Sequence, residues 1–240
     1  MKTLKVIAIE SLITIISLVM IVRTLIIENK IEHKIFLSIG IGLSIVYMIY
    51  RIASKIKEEK EKSRINAIVA SKLNKASESF LYYIDLILIN HPERFNISIK
   101  EKSNYQTEQN AKKMFEVDFR TPDPYTGTSM GNLAEQVDFG MNREYDELER
   151  TISRYTNKIS TKKIELFESL SSNLIFKTLI DCKLWFDQIK MFHDQAIKNN
   201  PTFPKNGLPI TISMNFKEHQ KDYNQMIDLL FEMKNIPNSK

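Results

Sequence analysis

The chain holds few residues that could do chemistry, and their spacing suits it poorly. Its four histidines are His33, His91, His193 and His219. None forms an HxxxH or HExxH pair, and none has a cysteine at ligand spacing, so no metal site is expected. His193 precedes Asp194, and His219 lies one helical turn before Asp222. Each reads as a local hydrogen-bonded pair. A single cysteine, Cys182, excludes an internal disulfide and any CxxC motif. There is no GxSxG elbow, no GK[ST] phosphate loop and no dinucleotide fingerprint. No cofactor is therefore expected, and nothing positive argues for an enzyme, although separated acids and histidines can converge in a fold.

The stretch best suited to hold a ligand is Asp118–Gly140. Pro122, Pro124, Gly127, Gly131 and Gly140 make it the most irregular part of the chain away from its ends. The segment DPYTGTSMG reads as turns, and irregular loops of this length are often functional. Arg120, Asp123, Tyr125, Gly127 and Gly131 are the candidate binding residues. The plainer reading is a structural loop.

Two further ionisable residues, Glu10 and Arg23, lie inside an apolar run, Val6–Ile27. A second apolar run, Ile35–Tyr50, follows after the polar stretch Glu28–Lys34. A bilayer core takes about 20 apolar helical residues, with about 17–25 usual. The pattern thus predicts a two-helix transmembrane hairpin over residues 1–52, with spans near 6–27 and 35–52. The first run is too long for a cleavable signal peptide and lacks a small-x-small site before the loop. Glu10 and Arg23 stand about 20 Å apart along a helix, so within one chain they cannot pair. Each is expected to reach the headgroups from near a span end. The sharper alternative has Glu10 facing an oligomeric interior or an ion path.

The second span carries Ser38, Gly40, Gly42 and Ser44. Ser38/Gly42 and Gly40/Ser44 are small-xxx-small pairs on nearly opposite faces, a packing surface for the first span and for a further helix. Lys2 and Lys5 precede the hairpin, and Arg51, Lys55, Lys57, Lys60, Lys62 and Arg64 follow it. By the positive-inside rule both termini are expected in the cytoplasm, at an inner or plasma membrane.

The rest of the chain reads as helix-rich, with few helix breakers for its length. Between Gly42 and His91 there is neither glycine nor proline, so the second span should continue through a charged juxtamembrane stalk (53–66) into a cytoplasmic α-helical domain (67–240). Ile65, Val69, Leu73, Ala76, Phe80, Ile84, Ile87 and Leu88 recur at helical spacing, and His91-Pro92 should end that helix. Helices are also expected over Gln106–Val117, Glu144–Asn157, most strongly Ser160–Asn199, and after an Asn215–Glu218 cap. Arg143/Glu147 and Asp146/Arg150 are expected as surface pairs. Leu174–Phe186 should be the central helix, with Cys182 and Trp185 in the core. Ile97/Ile99 and Ile210/Ile212 alternate with polar residues and are expected to pair as one small two-stranded β element.

The whole chain has 34 basic and 29 acidic side chains. Much of the excess sits in and beside the hairpin, so no specific nucleic-acid binding is expected. Three functional readings follow, in order. The first is a membrane-anchored interaction protein (sensor, scaffold or regulatory subunit), with the lipid bilayer and a protein partner or a second copy as partners. The second is an oligomeric membrane-perturbing effector of toxin or phage-defence type. The third is a membrane-bound enzyme with its site near 118–140.

Overall fold

The computed structural model describes residues 15–20, 22–23, 26, 30–90, 100–123, 127–200, 202–204, 207–212 and 214–237. The chain is mainly α-helical. It divides into two compact units, Met1–Lys62 and Ser63–Lys240. One helix, α1 (Lys30–Ile89), contributes residues to both.

In the first unit, residues 15–20 and 22–23 are helical and precede α1. The apolar side chains of α1 here have little cover: Ile41 is 52% exposed, Val46 65% and Ile49 61%. The Arg23 guanidinium lies 5.7 Å from the centre of the Phe36 ring, and Arg51 lies 6.0 Å from that of Tyr47. Glu10 falls outside the described residues.

In the second unit, α1 presents its other apolar stretch inward. Val69, Leu73, Phe80, Ile84, Ile87 and Leu88 are all fully buried. The absence of glycine and proline lets the helix run this far. At its end the Asn90 side chain donates to the Leu86 carbonyl (2.8 Å), and the Asn90 N–H to those of Leu86 and Ile87. Termination just before His91-Pro92 is what proline requires; residues 91–99, with Ile97 and Ile99, lie outside the described residues.

Around α1 stand α2 (Lys102–Tyr105), α3 (Glu108–Glu116), α4 (Leu133–Tyr155), α5 (Thr161–Ser172), α6 (Leu174–Ile180), α7 (Cys182–Asn199) and α8 (Phe216–Lys234). Phe80 of α1 meets Phe176 of α6 edge-on at 5.0 Å. Gly140 lets α4 approach α1, because a Cβ there would overlap the Tyr83 ring end at 1.8 Å. α8 packs on α3, α5 and α6 and buries Tyr223, Met226, Ile227 and Leu230 completely. These contacts make a helical bundle whose centre is the second half of α1.

That centre differs from the expected Leu174–Phe186. This stretch is broken at Asp181, and Leu174 and Leu184 are 42% and 62% exposed. Asn173 also interrupts the expected Ser160–Asn199 helix. Its side chain accepts from the Phe176 N–H (3.1 Å) and so starts a new helix. Cys182 is fully buried. Trp185 is half-buried, and its indole N–H donates to the Thr178 carbonyl at 2.9 Å.

Asp118–Gly140 is less irregular than its glycines imply. β1 (Pro122–Asp123) pairs antiparallel with β2 (Gly127–Asn132), and Leu133–Gly140 is already helix. The cause is a capping box. Asn132 accepts from the Glu135 N–H (3.0 Å), and Glu135 accepts from the Asn132 N–H (3.3 Å). The two-stranded element therefore forms from different residues than expected. Ile210 and Ile212 are buried but not in a strand, and the Ile210 carbonyl accepts from the Phe119 N–H (2.8 Å).

Candidate functional site

The second unit concentrates its polar geometry where the Asp118 loop meets α7 and the segment 207–212. Asp118 is the hub. Its carboxylate accepts from Arg120 Nε (2.9 and 3.0 Å), Arg120 Nη2 (2.6 Å), the Arg120 N–H (3.1 Å) and the Ile210 N–H (3.1 Å). Burial alone would raise the Asp118 pKa. The hydrogen bonds from Arg120 and Ile210 outweigh it and hold the carboxyl below its ordinary range. The same fork raises Arg120 above the usual arginine value.

Two more anchors fix the loop. The Phe119 ring meets Trp185 edge-on at 5.2 Å, and the Leu133 N–H donates to the Thr121 carbonyl at 3.0 Å. Beyond Arg120 lies a cleft of about 310 Å³, lined also by Asn132, Lys190, His193 and Gly207. Gly207 has φ +67°, and a Cβ there would sit 3.1 Å from His193 Nδ1. Only glycine combines that backbone with so close a neighbour.

The expected binding residues scatter. Arg120 faces the cleft but is clamped by Asp118. Asp123 and Gly127 are register partners in the hairpin. Gly131 lies in β2 with φ +84°. Tyr125 is outside the described residues. The loop and His193, considered separately in the sequence, come together at one cleft. Asp118 is not among the expected binding residues; the signal that points to it is its spacing of two from Arg120, which a folded-back turn needs for a fork. Neither member of this pair is available as an acid or base near neutral pH, so the arrangement clips two loops together and can present His193 and Lys190 to a ligand.

Other polar groups are mostly structural. His219 Nδ1 stands 3.0 Å from Asp222 Oδ2, the pair expected from the sequence. Arg143 does not pair with Glu147 as expected. It meets the buried Glu144 (2.9 Å), while Glu147 pairs across to Lys72 of α1. Asp146 and Arg150 are paired at 3.8 Å. The buried Asp85 carboxyl is raised by burial, against the opposing hydrogen bond that it accepts from the Tyr105 hydroxyl (2.7 Å). Burial, with the Asp138 charge, also raises the Cys182 thiol, which keeps it protonated and unreactive.

In the first unit the small residues of α1 are arranged unequally. The Ser38 hydroxyl donates to the Lys34 carbonyl (2.8 Å) and the Ser44 hydroxyl to that of Gly40 (2.9 Å), so the helix satisfies both internally. Gly40 is buried, whereas a Cβ on Gly42 would meet nothing within 4 Å. Comparisons with protein-family models, with curated proteins and with solved structures return no match to this chain.

Proposed function

We propose that the chain is an integral membrane protein anchored by an N-terminal helical hairpin, and that its helical domain engages a protein partner. One observation carries the anchoring. Within Lys34–Ile89 an 18-residue window has mean hydropathy 1.9, and only 6% of it is buried. A core helix of that hydropathy would be covered by its own domain. Water is an unfavourable neighbour for so many apolar side chains, and soluble monomers rarely expose contiguous apolar patches above a few hundred Å². A bilayer removes the conflict, and the internally bonded Ser38 and Ser44 suit hydrocarbon surroundings. The Arg23–Phe36 contact favours chain reversal between the spans, since an unbroken helix separates those positions by about 20 Å. The cations after Arg51 favour cytoplasmic termini.

For the partner-binding role, α7 offers an outward face. Leu184, Met191 and Phe192 are 62%, 52% and 62% exposed. The full chain should resist alkaline carbonate extraction from membranes, and a chain lacking residues 1–52 should be released. Release of the full chain would sink the anchoring. Photo-crosslinking from position 192 in cells should give one discrete adduct that Leu184→Glu abolishes. Dye release from vesicles by the purified chain would instead place it among membrane-perturbing effectors.

A further inference from the structure

We propose that the cleft where α5 meets α1 and the end of α8 binds a phosphate group, with Lys163 as its principal cation. The cleft measures about 500 Å³, and Asn66, Ser160, Lys162, Lys163, Glu232 and Ile236 are among its lining residues. Lys163 is 95% buried, at 5% exposure. Its ammonium donates to the Asn66 main-chain oxygen (2.7 Å) and to Asn66 Oδ1 (3.2 Å), both neutral acceptors. No carboxylate pairs with it among the described residues. Among the described residues the one acid lining the cleft, Glu232, is engaged by Lys162 at 2.9 Å.

A cation on so buried a side chain, without a counter-charge, is costly, and such groups are ordinarily paired. Burial already lowers the Lys163 pKa, which records the same imbalance. The Lys163 ammonium has three donors, and Asn66 supplies two acceptors. The surroundings add to the positive charge. α5 begins with Lys162 and Lys163 in its first turn and no acid there, and the Ser160 side chain makes no capping bond. A helix start ordinarily favours anions and disfavours cations. An oxyanion in the cleft would answer the Lys163 charge, the crowded positive helix start and the uncommitted Ser160 hydroxyl together. Its source is either a soluble phosphate compound or a phospholipid headgroup.

The test uses the full chain in detergent, its thermal midpoint followed as inorganic phosphate is added against chloride at equal ionic strength. A saturable rise of a few degrees at low millimolar phosphate is expected, as for a ligand bound only by the folded state. Lys163→Gln should abolish the response and Lys163→Arg should keep it. Ser160→Asp supplies a resident carboxylate. It should raise the midpoint without phosphate and remove the phosphate response, so it decides the matter even if Lys163→Gln fails to fold. A response to inorganic phosphate assigns a soluble ligand. A response found only in nanodiscs containing phosphatidate, and lost with Ser160→Asp, assigns a lipid headgroup. No saturable response in either medium, or one that Ser160→Asp leaves unchanged, overturns the proposal.

Discussion

Ile35–Ile52 and Ile65–Leu88 belong to one helix and are built from similar apolar side chains. In the first, Ile35, Leu37, Ile39, Ile41, Ile45, Val46, Met48, Ile49 and Ile52 are 43–65% exposed, and Phe36, Leu43 and Tyr47 are half-buried. In the second, the inward face from Ile65 to Leu88 is 0–7% exposed. Hydropathy therefore does not decide burial. The first stretch is apolar nearly all round, whereas the second carries an apolar face beside Lys72, Lys75 and Glu78 and becomes apolar on most sides only from Phe80, where the bundle surrounds it. A helix apolar on all sides has to be surrounded, by protein or by lipid. One that is apolar on a single face can be completed by neighbours in a bundle. The charged stretch between them, with its Glu58–Lys62 pair at 3.0 Å, has the composition of a solvated helix.

The comparison can be broken at several points. The largest effect is expected for Phe80→Ala. It removes a fully buried ring packed on Phe176 and should cost about 3–5 kcal/mol in urea unfolding of the helical domain. A loss below about 1 kcal/mol would mean that this half of the helix is not the core. Next comes Asp118→Asn, expected to cost about 1.5–3 kcal/mol because it weakens charge-assisted bonds to Arg120 and Ile210. The sign of the pH dependence is fixed. Asp118 titrates lower folded than unfolded, so its stabilisation is complete above about pH 5 and fades as pH falls through the folded value. Wild type should lose stability on that acid limb, and Asp118→Asn should flatten it. An unchanged limb would show that the fork is not made in solution.

The smallest effect sharpens the contrast. Ile45→Ala alters a side chain 50% exposed and should shift domain unfolding by less than about 0.5 kcal/mol. A core-sized loss would show that this stretch is covered by the domain rather than by something outside it. Membrane extraction measured on the same variant separates its two roles.

Local signals carried much of this fold. The uninterrupted run to Ile89, the stop before His91-Pro92, the inward face of α1 and the Tyr223–Leu230 face of α8 all depend on periodicity and proline sterics, which act within a few residues. The breaks at Asn173 and Asp181 were missed because an apolar run masked a capping asparagine. Gly140 misled for a different reason. Glycine reads as a turn, but here it sits inside α4 because Tyr83 of α1 occupies the space of a side chain. The candidate site was half legible. Arg120 was found, but its commitment to Asp118, and the approach of His193 from more than seventy residues away, depend on long-range packing.

By itself the sequence determined a mainly helical chain, the position of its apolar runs and the absence of recognised catalytic motifs, because composition and periodicity are local properties. Tertiary structure alone decided which apolar stretch is buried. It joined Asp118 to Ile210, and it left Lys163 buried with neutral partners. Each of those depends on which distant surfaces meet, and a pattern of residues along a chain does not encode that meeting directly.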